Sequence, residues 1–240
     1  MQCGPIRYSA DAKAQMASQT FARLLVPRFT SYRELTDDKF TYARMIQKMA
    51  EDENRNDLII DDVRKALTEG RFPIVLTNLT AHVETLANAL APYCKYVVTL
   101  IGSESAREKH QKMELLQGIS PTEPLVIVAT GKYVGEGFDY PRLDTLFLAL
   151  PVSWKGIIAQ YAGRLHREYP GKKEVRIYDY IDIRVSMCDV MYKRRLRGYA
   201  SVGYQIMSNA PMDLFNESHS IIFRKLYALV PNKTLAGKLP

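Results

Sequence analysis

"PIVLTNLTAHVETLANAL", residues 73–90, changes its period halfway. Residues 73–77 form a short, nearly continuous run of apolar and β-branched side chains, whereas residues 81–90 read as an amphipathic helix. The same alternation repeats outward from this stretch. "KYVVTL" (95–100), "LVIVA" (125–129), "TLFLAL" (145–150) and "EVRIYDYI" (174–181) are further short apolar runs, separated by helical stretches over 105–116 and 153–167. Strands without a polar face, alternating with helices, predict a parallel sheet covered on both sides. The fold class expected is therefore α/β, a doubly wound domain running from about residue 71 to residue 182.

On either side of this unit the pattern differs. Residues 1–35 show no clear period, although "FARLLVPRF" (21–29) reads as one strand. A helix opened by Thr36 and two acidic residues is expected next, followed by a second helix from about Asn56 to Glu69, closed by Gly70. Beyond residue 182 comes "CDVMYKRRLRGYASVGYQIM" (188–207), expected to be helical, and then a last helix over 211–229. The organisation expected is a tail of a preceding domain and linker helix (1–53), an α/β domain (54–182) and a helical extension (183–240).

Composition bounds the function only loosely. The chain has 240 residues, 47% hydrophobic and 25% charged, with 33 Lys and Arg against 26 Asp and Glu, for a net charge of +7. Such a balance favours a polyanionic partner modestly. Cys3, Cys94 and Cys188 are too few and too scattered for a disulfide framework or a metal cluster. No apolar run approaches the roughly 18 residues of a membrane span, and the first residues lack the apolar core of a signal peptide. A cytoplasmic protein with no membrane association and no resident metal is the expectation.

In an open parallel sheet, ligands lie beyond the carboxyl ends of the strands. The loop after Ala129, "ATGKYVGEGFDYPRLD" (129–144), carries three glycines, a lysine and then Glu136 and Asp139. Glycines allow backbone N–H groups to approach an anion, and a carboxylate after them can hold a sugar hydroxyl; a plain connecting turn is the alternative. It is not a P-loop, because Gly-Lys-Ser and Gly-Lys-Thr are absent from the chain. In the helix that follows, at roughly 100° per residue, Trp154, Ile157, Ile158, Tyr161 and Leu165 form one stripe, and Gln160, Arg164 and Arg167 form another. Two guanidinium groups on one stripe either meet solvent and acidic neighbours or face a phosphate, for which their planar fork is well suited.

These residues carry a resemblance. Gln160, Gly163, Arg164 and Arg167 match the Q-x-x-G-R-x-x-R form of motif VI in superfamily 2 helicases. "ATGKYVGEGFD" resembles motif V, one residue longer than the common DEAD-box form, and "PIVLTNLTAHVETLANAL" resembles motif IV. Arg107 stands where such proteins often carry an arginine before an amphipathic helix. Order and spacing agree over residues 54–182, and the group most similar in style is the DEAD/DEAH-box and restriction-type helicases.

The resemblance implies a RecA-like second motor domain working on nucleic acid, with DNA the expected substrate. It further implies that Arg164 and Arg167 act as arginine fingers, that Gln160, Gly137 and Asp139 lie toward the nucleotide, and that Thr77, Asn78, Thr130 and Lys132 meet the nucleic-acid backbone. ATP and Mg²⁺ would be held mainly by an N-terminal RecA-like ATPase domain, since Walker A and Walker B motifs are absent here. A helicase-like interaction module without motor activity is the competing expectation. Tyr192, Lys193, Arg194, Arg195, Arg197 and Tyr199 are readable either as phosphate- and base-contacting groups or as a domain-packing helix.

Overall fold

The computed structural model describes residues 21–33, 41–135, 138–152 and 157–207. The strands are β1 (Ala22–Phe29), β2 (Pro73–Thr77), β3 (Tyr96–Leu100), β4 (Leu125–Thr130), β5 (Thr145–Leu148), β6 (Glu174–Ile181) and β7 (Gln205–Ile206). The α-helices are α1 (Tyr42–Glu51), α2 (Glu53–Thr68), α3 (Thr80–Leu90), α4 (Ala106–Gly118), α5 (Gly131–Gly135), α6 (Ile157–Leu165) and α7 (Ser186–Ser201). All seven strands are parallel in one sheet of order β3-β4-β2-β5-β6-β1-β7. The fold is a RecA-like α/β sheet with helices on both faces.

Strand alternation distributes the core. Val75, Val126, Val128 and Phe147 point to the face covered by α2 and α3, where they meet Ile59, Val63, Val83 and Leu86. Ile74, Leu76, Ile127 and Ile177 point to the opposite face, covered by α4, α5, α6 and α7. Every residue of β2, β4 and β5 is buried, as expected for central strands of a parallel sheet.

Local signals set the helix ends. α2 stops at Gly70, whose φ of 72° suits glycine; Gly70 N donates to Leu67 O and Arg71 N to Ala66 O, the paired bonds of a Schellman cap. α4 opens with a reciprocal capping box, in which Ser105 Oγ accepts from Glu108 N and Glu108 Oε2 accepts from Ser105 N at 2.8 Å. The helix expected from Thr36 begins, within the described residues, at Tyr42, with the Thr41 hydroxyl accepting from Arg44 N at 3.2 Å. Residues 34–40, including Thr36, lie outside the described residues, as does the helix expected over 211–229.

Packing does not break at residue 54 or at residue 182. β1 pairs in parallel with β6 over its whole length, from Ala22 against Glu174 to Phe29 against Ile181, and β7 pairs with β1 at Leu24 and Leu25. α7 lies against the sheet as well. Such pairings join residues far apart in sequence, Ala22 with Glu174 and Leu24 with Gln205, and leave no local mark on it. Pro27 is tolerated in β1 because its nitrogen lies on the same side as Leu25 O, which accepts from Met207 N, and β7 has already ended there.

Candidate nucleic-acid and nucleotide edge

The carboxyl ends of the strands carry three structural layers. Closest to the sheet, Thr77 and Thr130 are partners at the ends of β2 and β4. Both are buried and committed within the chain. Thr77 Oγ1 lies 2.8 Å from His82 Nδ1, and His82 Nε2 lies 3.0 Å from Asn56 Oδ1, whose amide donates to Ala50 O at 2.8 Å. Burial, helped by the positive Arg55, pushes the His82 imidazole down to about 4, so it is neutral at pH 7. Thr130 Oγ1 accepts from Gly102 N at 3.0 Å, tying the end of β4 to the loop after β3.

Asn78 and Lys132, by contrast, are exposed at the same edge. Lys132 lies across Gly102: a Cβ placed at Gly102 would sit 3.1–3.3 Å from its side-chain carbons. Arg107, in the first turn of α4, is also exposed. The four residues expected on the nucleic-acid backbone thus divide, two with hydroxyls turned into the protein and two with polar groups facing outward.

The second layer joins the motif V and motif VI segments. α6 lies on α5 so closely that a Cβ at Gly131 would fall 2.1 Å from the Tyr161 hydroxyl. Tyr161 is buried, which raises its phenol to about 12. Close approach therefore occurs at Gly131. At Gly163, the glycine of the motif VI match, a Cβ would meet nothing within 4 Å. On the outer stripe Gln160 is exposed, Arg164 half-buried and Arg167 exposed, while Tyr161 and Leu165 are buried. Arg167 Nε reaches Asp139 Oδ1 at 3.2 Å. Gly137 and the residues 153–156, including Trp154, lie outside the described residues.

The third layer is a pair of buried ion pairs that the sequence reading missed. On one face Arg55, from α2, bonds Asp182 at 3.0 Å through Nε and the carbonyl of Ala149 through Nη1. On the other face Arg195, from α7, bonds both oxygens of Asp179 at 2.7 and 2.9 Å and donates to Val152 O at 3.2 Å. Tyr199 also donates to Asp179, at 3.0 Å, and Tyr42 to Pro151 O, at 3.1 Å. Segment 149–152, which leads from β5 toward α6, is thereby held from both sides. Two carboxylates at the end of an apolar strand are the signal that could have revealed it, because a buried Asp requires a partner.

Of the two readings of α7, domain packing describes Tyr192, Arg195 and Tyr199, all buried. Lys193 pairs with Asp189 at 2.6 Å, and Arg194 and Arg197 are exposed. Among the described residues no group of three or more His, Cys, Asp or Glu side chains is placed to hold a metal ion. The half-buried Arg164 and the exposed Arg167 have the planar donor fork that suits a phosphate. No helix among the described residues is long and apolar enough to cross a membrane.

Comparison with known proteins agrees with the fold. No family model matches the chain. It is 25% identical over 166 residues to transcript termination protein A18 of fowlpox virus, covering 67% of this chain and 35% of that protein. It is 27% identical over 187 residues to putative helicase 161L of invertebrate iridescent virus 6, covering 69% and 37%. The chain thus spans about a third of the length of these curated relatives. Among solved structures, T4 UvsW superposes with a TM-score of 0.60 at 18% identity, over 79% of this chain and 42% of that one. Yeast Dbp5, solved bound to RNA and ADP BeF3, gives 0.52 at 14% identity, over 92% and 53%. The chain has a RecA-like α/β fold, the fold of these solved structures. Its viral relatives are helicase-like and transcript-termination proteins.

Proposed function

We propose that this chain is the second motor domain of an ATP-dependent superfamily 2 helicase or translocase acting on nucleic acid, with DNA the expected substrate. The observation that carries the reading is the Asp139–Arg167 contact, which brings the motif V and motif VI segments together at the carboxyl edge of the sheet. In this reading an N-terminal RecA-like ATPase domain of the same polypeptide holds ATP and Mg²⁺. Arg164 and Arg167 present guanidinium groups to the terminal phosphate, where charge develops during transfer. Gln160, Gly137 and Asp139 line the nucleotide side. Backbone tracking falls to Lys132 and Asn78 through their side chains, and to the ends of β2 and β4 through the main chain, because the Thr77 and Thr130 hydroxyls are already engaged.

The test uses the chain itself. Binding to a labelled single-stranded oligonucleotide, followed by anisotropy, should be weak, independent of sequence and steeply salt-dependent. Lys132→Ala should lower the salt slope by about one. The chain alone should release phosphate from ATP no faster than background. Tight binding that ignores salt, or a Lys132→Ala variant with an unchanged slope, would remove the backbone-tracking role.

A further inference from the structure

Lys172 stands outside every motif considered so far. It follows "EYPG", residues 168–171, in which Pro170 and Gly171 occupy the centre of a turn closed by Lys172 N donating to Tyr169 O at 3.1 Å. Gly171 has φ 82°, the value a type II turn requires at its third position, where a preceding proline is favoured. This turn folds the lysine back over the end of α6. Its Nζ lies 3.1 Å from Leu165 O, 2.7 Å from Arg167 O, 2.6 Å from Pro141 O and 2.8 Å from Leu143 O.

Four carbonyls thus surround an ammonium that has three protons to give. Two belong to the negative end of α6, where a cation is favoured. The other two belong to the loop that follows Asp139. Lys172 therefore ties together the main chains that carry Arg167 and Asp139, two residues whose own contact is between half-exposed side chains. An exposed ion pair contributes little by itself and costs side-chain entropy to maintain. Its geometry must come from the backbones beneath it.

We propose that Lys172 is a positioning residue: its ammonium acts as a built-in cation that locks the motif VI helix end onto the motif V loop and so sets where the Arg167 guanidinium stands. The cage predicts a pH signature. Burial pushes the Lys172 ammonium down to about 8, partly opposed by Asp144, which faces it from the segment leading into β5. His166, at the end of α6, also faces it and is held neutral by burial, with a value of about 4. Glu168, Tyr169 and Lys173 are its ionisable chain neighbours. Guanidinium and carboxylate groups as classes keep their charge between pH 7 and pH 10. Loss of the Arg167–Asp139 contact in that window thus reports on the lysine.

The significance of this lock for catalysis rests on the motor reading, but its existence is testable without any motor. Carbon-detected arginine NMR, which remains visible at alkaline pH, would follow the Arg167 side chain in this chain, with Asp139→Asn giving the signal of the broken pair. The paired signal should be present at pH 7 and collapse with a midpoint near 8. Lys172→Met should show the broken signal at neutral pH. Lys172→Cys should do the same and recover after aminoethylation, which restores an ammonium at similar reach. A variant weakened on the other sheet face, Ile59→Val, should retain the paired signal. If Lys172→Met does not fold, the wild-type titration and the aminoethylated variant decide. A paired signal unchanged from pH 7 to pH 10, or retained in a folded Lys172→Met protein, would reduce Lys172 to a stabilising cap and overturn the proposal.

Discussion

The contact between Gly131 and Tyr161 makes a quantitative prediction about how motifs V and VI are joined. Replacing Gly131 with Ala puts a methyl group where the Tyr161 hydroxyl now stands, 2.1 Å from its oxygen and 3.2 Å from Cζ. Tyr161 is only 5% exposed and packed in the core beneath α5, so its ring has little room to withdraw. Overpacking of this kind costs about 1–3 kcal/mol, against which the reduced freedom of alanine in the unfolded chain returns about 0.4–1 kcal/mol. The net expectation is a loss of about 1–2 kcal/mol, or about 2–8 °C in thermal midpoint for a domain of this size. Tyr161→Phe removes the oxygen and leaves the ring, so the nearest remaining atom in the double variant is Cζ at 3.2 Å. The double variant should therefore be more stable than Gly131→Ala alone, with a coupling energy of about 1 kcal/mol or more. Urea unfolding of the four proteins in one cycle measures it. Additive effects within about 0.3 kcal/mol would show that the two helices do not rely on this contact.

Three further outcomes follow from the buried charges and the arginine stripe. His82 and His166, each pushed down to about 4 by burial, stay neutral where unfolded histidines take up protons. The unfolded state then binds more protons below pH 6.5, so stability should fall as pH drops, by about 2 kcal/mol per histidine at pH 5; equal urea midpoints at pH 7 and pH 5 would contradict this. Arg195→Met strands Asp179 in the core and should cost about 3–5 kcal/mol, much of it recovered by Arg195→Met with Asp179→Leu; a double variant no better than the single one would count against desolvation as the cause. In a complete motor, Arg164→Ala and Arg167→Ala should shift stability by only about 0.5 kcal/mol while slowing hydrolysis by about 10³-fold or more, and near-normal single-turnover rates would end the arginine-finger assignment.

What could be read without coordinates followed range of interaction. The apolar runs at 73–77 and 174–181 coincide with β2 and β6, because a strand buried on both faces declares itself in consecutive residues. Tyr161 and Leu165 were legible as buried, and Gln160 and Arg167 as exposed, from spacing alone. Thr77 and Thr130 were legible as strand ends, yet not in orientation: whether a hydroxyl faces a ligand or His82 depends on a helix packed from elsewhere in the chain. The ion pairs Arg55–Asp182 and Arg195–Asp179 escaped notice because they join separate elements. Gly131 escaped because a glycine-rich loop gives no hint of which glycine lies beneath a tyrosine.

The contrast between these ion pairs bears on how the edge could work. Arg55 and Arg195 are 1% exposed, and their loss would leave buried carboxylates uncompensated. They make segment 149–152 a fixed base. Arg167 and Asp139, with side chains 53% and 43% exposed, form a pair that solvent already screens, one that contributes about 0–1 kcal/mol. A phosphate oxygen competing for the Arg167 guanidinium would therefore have little to displace, while the bend carrying it, just past the end of α6, stays anchored through Lys172 to the loop after Asp139. An edge built in this way can exchange one partner of its outermost arginine without disturbing the sheet below, and the helix backbone need not move for the side chain to change hands.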